Sequence, residues 1–151
     1  MVAIKKFEDK QGRIFASVYH DKNQAMLMNV FSRHNHNAKD IERVLNFSFE
    51  QIKHRKLHFW LSDISQLEDI LEAPMASARN KFSKKLEESL IKKFAFISHH
   101  DETLNRKKVI NLLTRHGIKV KTFSSFTRAI DWLVVPKLEE SIWDDAQVLT
   151  F

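Results

Sequence analysis

The sequence predicts a single α/β domain in which helices cover one mixed β-sheet. Its 151 residues, 43% of them hydrophobic, suit one domain with its own core. Strand patterns separated by polar turns fill the N-terminal part, and helix and strand patterns then alternate. Such alternation is typical of parallel strands joined by right-handed crossovers, so we expect about five or six strands that are antiparallel only on the N-terminal side.

Three strands open the chain, at residues 4–8, 13–20 and 25–32. Gly12 supplies the positive φ of the first turn, and a polar stretch makes the second. The third strand is mostly apolar, which predicts that it lies centrally with both faces covered. Its methionines, Met26 and Met28, are expected in or near the core.

The period then changes to that of a helix, with Asn37 as its predicted N-cap. One helical stripe contains Ile41, Val44, Leu45, Ser48, Phe49 and Ile52. A strand is predicted at 57–61, ended by the polar residues that follow. Beyond it we expect a short helix over 66–71 and a break at Pro74. A longer helix follows, with Ala78, Phe82, Leu86 and Leu90 on its inner side.

The remaining elements are strands at 93–98 and 119–123 and helices at 102–116 and 125–134. Gly117 is expected as the left-handed C-cap of the first of these helices. The last helix ends just before Pro136, and its predicted inward residues are Phe126, Ala129, Ile130 and Leu133.

Several classes of protein are excluded by composition. The chain contains no cysteine, which excludes disulfide scaffolds, thiolate metal sites and cysteine nucleophiles and fits a reducing cytoplasm. Its two glycines are too far apart for a P-loop, a dinucleotide-binding fingerprint or a nucleophile elbow. No apolar run suits a membrane span, and the N-terminus lacks the pattern of a secretory signal. We therefore expect a soluble cytoplasmic domain with no cofactor.

The net charge of +6 raises the question of nucleic-acid binding. Residues 1–56 carry a net +5, but their lysines and arginines are scattered and lack the interleaved aromatics of a nucleic-acid-binding surface. Solubility explains the charge, and a nucleic-acid partner is not expected.

The segment 92–133 resembles the C-terminal half of bacterial STAS-like proteins, the SpoIIAA-like group also described as STAS/SEC14-type. The resemblance rests on the strand KKFAFIS, the strand HGIKVKTF, and a helix with Ala129 and a terminal Trp132–Leu133. It extends back to about Arg13 through LHFWLSDIS, where Asp63 and Ser65 stand at matching places. It implies a regulatory or protein-interaction module, with another protein or a second copy as partner and an apolar ligand such as a lipid as a further option.

In phosphorylatable STAS proteins a serine near this strand end receives a phosphate. Here the local sequence is Asp63-Ile64-Ser65-Gln66, without the D-S-x-G context of that family. A phosphate on Ser65 would also be repelled by Asp63, Glu68 and Asp69. We expect no phosphorylation switch.

Polar side chains follow the carboxyl ends of the predicted parallel strands, where open α/β sheets usually host their sites. The candidate interaction or ligand residues there are Asp63, Ser65, His99, His100 and Asp101. His34 and His36 are weak metal candidates, because imidazoles two residues apart share a face in an extended segment. Helix capping explains Ser65 and Asp101 equally well.

Two function classes remain open. A non-catalytic STAS-like interaction module is the hypothesis we favour, so no enzymatic activity and no catalytic residue is expected. The alternative is a small hydrolase or metal-dependent enzyme in which Asp63 orients His99 toward Ser65. No glycine-built turn or oxyanion loop accompanies these residues.

The domain is expected to span 1–137, followed by an acidic, partly apolar tail over 138–151. The tail has four acidic residues, no basic residue and six large apolar residues, whereas disordered segments are poor in apolar groups. We therefore expect it to dock, either on its own domain near the antiparallel strands or on a second subunit.

Overall fold

The computed structural model describes residues 1–32, 38–66, 79–99 and 104–134. These residues form six strands and four helices. In chain order they are β1 (Val2–Glu8), β2 (Ile14–Asp21), β3 (Met26–Phe31), α1 (Ala38–Arg55), β4 (Phe59–Asp63), α2 (Arg79–Glu88), β5 (Lys93–Ile97), α3 (Leu104–Arg115), β6 (Lys119–Phe123) and α4 (Phe126–Val134).

The strands form one sheet whose spatial order follows the chain, from β1 to β6. β1, β2 and β3 pair antiparallel, and β3 to β6 pair parallel. The predicted mixed sheet with an N-terminal meander is thereby confirmed, as is the central position of β3.

Two turns produce the meander. Gly12 has a φ of 78°, which glycine adopts without a steric penalty, and the Asp9 carboxylate accepts hydrogen bonds from the amides of Gln11 and Arg13. The Asp21 carboxylate accepts bonds from the Asn23 and Gln24 amides in the second turn. Aspartate therefore organises both turns.

The helices cover the two faces of the sheet unequally. Three successive parallel connections step in one direction along the sheet, and crossovers of one hand then place their helices on one face. Buried residues of α1, α2 and α3 accordingly share a core cluster with one side of the strands, here called the first face. α4 packs on the second face with Met26, Met28, Leu61, Ala95 and Ile97. The predicted burial of both methionines is confirmed.

Aromatic rings form a continuous line through the first-face core. Phe49 of α1 lies between Phe82 of α2 and Trp60 of β4, with centroid separations of 5.4 and 5.0 Å. Trp60 in turn contacts Phe94 of β5 at 4.7 Å. Aromatic pairs at these distances contribute about 0.5–1.5 kcal/mol each beyond their burial, so the line joins two helices to two strands.

A chain of hydrogen bonds crosses the same core. Trp60 Nε1 donates to Asn29 Oδ1 at 3.1 Å, and Asn29 Nδ2 donates to Ser48 Oγ at 2.7 Å. Ser48 Oγ then donates to the Val44 carbonyl at 2.7 Å. All three polar side chains are buried, so each needs these partners to avoid the cost of an unmade hydrogen bond. The bonds join β4, β3 and α1.

Several predicted boundaries and orientations are wrong. β4 begins and ends two residues later than predicted. Its start is delayed because Lys56 has a φ of 54° and the Leu57 amide still donates to the Ile52 carbonyl at the end of α1. Leu90 lies beyond α2 and is 50% exposed, and Phe126 is 46% exposed at the first position of α4. Helical spacing placed both inward, but Leu90 follows the last residue of α2 and Phe126 is the first residue of α4, so neither lies in the packed middle of its helix.

Other predictions are confirmed in the described ranges. Phe82, Leu86, Ala129 and Leu133 are buried. Gly117 ends α3 with a φ of 74°. The Asn37 cap, the helix over 66–71, the break at Pro74, Ala78, Pro136 and the tail lie outside the described residues. In the described part of the chain, no helix is long and apolar enough to cross a bilayer.

Candidate functional site

The carboxyl ends of β4, β5 and β6 are level with one another. Asp63 pairs with Ile97, and Ile97 pairs with Phe123, so the last residues of the three strands form one row. Neighbouring strands are about 4.8 Å apart, so the residues that follow lie within about 10 Å across the sheet. We call this row and the residues that follow it (Asp63–Gln66, Ser98–His99 and Ser124–Phe126) the carboxyl edge.

Asp63 and Ser65 form a closed turn at the end of β4. Asp63 Oδ1 accepts a bond from the Ser65 amide at 3.0 Å and another from Ser65 Oγ at 2.6 Å. The Ile64 amide donates to the Ile97 carbonyl and the Ile64 side chain is buried in the first-face core, which anchors the turn. The serine hydroxyl therefore donates a hydrogen bond to a carboxylate and is held in one orientation.

The strand end of β5 places its two polar residues differently. Ser98 is buried and its amide donates to the Phe123 carbonyl at 2.9 Å, which continues the β5–β6 ladder. His99 is exposed. The hydrolase alternative required Asp63 to orient His99 toward Ser65, whereas Asp63 Oδ1 bonds to Ser65 itself.

The end of β6 leads directly into α4. Ser125 Oγ accepts a long hydrogen bond of 3.5 Å from the Arg128 amide, which is the N-cap arrangement expected for a serine before a helix. Phe126 follows as the first residue of α4 and is 46% exposed. The sequence predicted that Phe126 points inward, and this prediction is wrong. The serine N-cap could have indicated the exposure, because it makes Phe126 the first residue of the helix, before the part that packs on the sheet.

Four predicted site residues, His34, His36, His100 and Asp101, lie outside the described residues. Their predicted roles as ligands or interaction residues stay predictions. Within the described ranges, no three histidine, aspartate or glutamate side chains are grouped closely enough to hold a metal ion.

Two other histidines have partners that the sequence did not indicate. His116 Nε2 lies 2.9 Å from Ser83 Oγ, which ties the end of α3 to α2. His20 Nδ1 accepts a bond of 3.1 Å from the Arg55 guanidinium, which ties β2 to the end of α1. These partners are 33 and 35 residues apart in sequence, so no local spacing could reveal them.

Comparisons of the chain with family models, curated proteins and solved structures give no match.

The Asp63–Ser65 turn predicts a graded response to substitution. Ser65→Ala removes one charge-assisted hydrogen bond and should lower the free energy of unfolding by about 1–2 kcal/mol, whereas Ser124→Ala, at an exposed position, should stay within about 0.5 kcal/mol of wild type. Ser65→Glu should cost more than Ser65→Ala because a carboxylate then faces Asp63, and the excess should shrink in high salt. Urea denaturation measures all three variants.

The same geometry bears on modification of Ser65. A phosphate would replace the donated proton with negative charge beside Asp63, so intact-mass analysis of the protein from its natural source should show Ser65 unmodified. Stoichiometric phosphate at Ser65, or a Ser65→Glu variant as stable as wild type, would contradict this account.

His20 predicts a pH dependence of stability. Burial lowers the pKa of His20, and the Arg55 guanidinium lowers it further by opposing the imidazolium. The unfolded chain therefore binds this proton more readily, so the contribution of His20 is full above pH ~6.5 and is lost as the pH falls through the folded-state pKa.

Urea denaturation at several pH values from about 7.5 to 5 tests this linkage. His20→Gln should flatten the fall in the free energy of unfolding below pH ~6.5 relative to wild type. If the free energy of unfolding falls equally with pH in His20→Gln and in wild type, the environment of His20, including the Arg55 contact, does not lower its pKa.

Proposed function

We propose that this chain is a non-catalytic, STAS-like protein-interaction module that acts in the cytoplasm and docks a partner protein at its carboxyl edge. The observation that carries the proposal is the exposed Phe126 at the same edge of the sheet as a pre-formed polar turn. The STAS-like resemblance and the absence of cysteine support the class and the compartment.

Phe126 has the features of an interface anchor. It is 46% exposed at the start of a helix whose later residues Ala129 and Leu133 are buried, so its backbone is held while its ring stays accessible. Large aromatic side chains are enriched at the centres of protein interfaces, where a few of them carry most of the binding energy. A partner with a small apolar pocket suits this ring.

The Asp63–Ser65 turn supplies the polar part of the surface. Its two internal hydrogen bonds hold both side chains before any partner binds, so little conformational entropy is lost on association. Both internal bonds go to Oδ1, so with respect to the described residues Oδ2 can accept a bond from a partner's donor. A partner that offers an N–H or O–H group beside its apolar pocket would therefore match this edge.

The same bonds favour recognition over chemistry. A nucleophilic serine needs a base that accepts its proton and then returns it, and imidazole is the usual choice. Ser65 instead donates to a carboxylate two residues away, which is the arrangement of a turn.

Site-specific photo-crosslinking tests the proposal. A benzophenone side chain at Phe126 should capture one protein in cells. The same group at Leu90, which has similar exposure and lies near the opposite edge, should not capture it. Capture of a second copy of this chain would identify the partner as a homodimer mate, and light scattering would then show the dimer.

The captured protein is then purified and its affinity measured. Phe126→Asp should raise the Kd at least about 30-fold, equivalent to about 2 kcal/mol, while Leu90→Asp should leave it unchanged. Equal affinity of the two variants would refute the carboxyl edge as the docking surface. Substrate turnover abolished by Ser65→Ala in a stably folded protein would refute a non-catalytic role.

A further inference from the structure

The second face of the sheet can be followed strand by strand from its register. Paired residues point to the same side, and one row crosses all six strands: Ala3, Tyr19, Met28, Leu61, Ala95 and Lys121. The next row on this face begins with Lys6, Ser17 and Val30.

α4 covers only part of this face. Its main contacts are with β4, β5 and β6, and its buried residues share one cluster with Met26, Met28, Leu61, Ala95 and Ile97. On the other part Ala3 and Lys6 are exposed, while Ser17, Tyr19 and Val30 are half-buried. We call these five residues the open patch. Among the described residues, the helix on this face is α4, whose main contacts are with β4 to β6; Tyr19 and Val30 lie at the border of its cluster.

We propose that residues 138–151, the C-terminal segment of this same chain, dock on the open patch beside α4. Three observations carry the inference: the place where the described chain ends, the length that follows it, and the composition of that segment.

The described chain ends at the second-face cluster, against which Tyr19 and Val30 of the patch also pack. Lys93, the first residue of β5, donates from Nζ to the Trp132 carbonyl at 3.0 Å and lies 5.1 Å from the centre of the Trp132 ring. The last turn of α4 is thereby held over the amino ends of the parallel strands. Val134 packs into the second-face cluster that also contains Met26 and Phe59.

The remaining chain is long enough to reach the patch. Seventeen residues follow Val134. β4 and β1 are three strand spacings apart, about 14 Å, whereas an extended chain covers about 3.3 Å per residue. About five residues cover the whole distance to β1, and about three cover the two strand spacings to β2, which leaves segment 138–151 to lie on the patch.

The chemistry of the segment suits the patch. Its six large apolar residues are Leu138, Ile142, Trp143, Val148, Leu149 and Phe151, and half-buried Tyr19 and Val30 offer them an apolar floor. Its four carboxylates would be attracted by Lys6, the exposed cation of the patch. Asp21, which also points to this face, is engaged by the amides of its own turn.

Distance measurements between nitroxide labels test the proposal, and the absence of native cysteine makes labelling specific. One full-length sample carries Ala146→Cys with Ala3→Cys, an exposed position of the open patch. The matched control carries Ala146→Cys with Glu50→Cys, which is exposed on α1 over the first face. Docking predicts a narrow distance distribution for both pairs, with the shorter distance to position 3.

Dilution with excess unlabelled protein should leave these distances unchanged, because the contact lies within one chain. Tyr19→Ser or Ile142→Ser should broaden the distributions, while Val2→Ser, which removes an exposed side chain outside the patch, should not. A broad distribution in the parent protein, a shorter distance to position 50, or a signal lost on dilution would overturn the proposal. Phe126→Asp should leave the distances unchanged, so this test is independent of partner docking at the carboxyl edge.

Discussion

The hydrogen bonds from Trp60 to Asn29 and from Asn29 to Ser48 are the constraint on which the rest of this structure depends. They lie where the antiparallel meander passes into the parallel sheet, and they join β3, β4 and α1 in one buried group. Removing a single partner would leave a buried donor or acceptor unpaired at a cost of about 1–3 kcal/mol. An apolar core could be slightly displaced along the strands, whereas these bonds allow one relative position only.

That position has consequences at the strand ends. Because Asn29 and Trp60 hold β3 against β4, and the Ile64 amide bonds to the Ile97 carbonyl, the end of β4 is supported on both sides. The Asp63–Ser65 turn is thus built on a rigid base. This is the arrangement expected of a recognition surface, in which a fixed scaffold presents polar groups and one exposed aromatic ring.

Much of the fold was predictable, because it depends on local rules. Alternation revealed the strands, the 41–52 stripe revealed α1, and Gly12 and Gly117 marked a turn and a cap that require positive φ. Asn29 interrupts an apolar strand and Ser48 falls within an apolar stripe, so a buried polar group was signalled at each. No local pattern indicated which residues they would pair with, because Asn29 lies 19 residues from Ser48 and 31 from Trp60.

The candidate site was predictable in place but not in detail. The carboxyl edge follows from the parallel strands, and Asp63, Ser65 and His99 lie there as expected. The exposure of Phe126 could not be predicted from helical periodicity. Periodicity shows which residues share one side of a helix, but not which of them are covered by the sheet. The pairing of Ser83 with His116 likewise depends on the packing of two helices.

A double-mutant cycle on the buried hydrogen bonds tests the central claim most directly. Trp60→Phe, Asn29→Ala and the double variant are compared with wild type by urea denaturation. Because both residues belong to one bonded group, the account predicts a coupling free energy of about 1 kcal/mol or more between them. Additive effects, with a coupling energy near zero, would contradict the claim that this hydrogen bond ties the two halves of the sheet together.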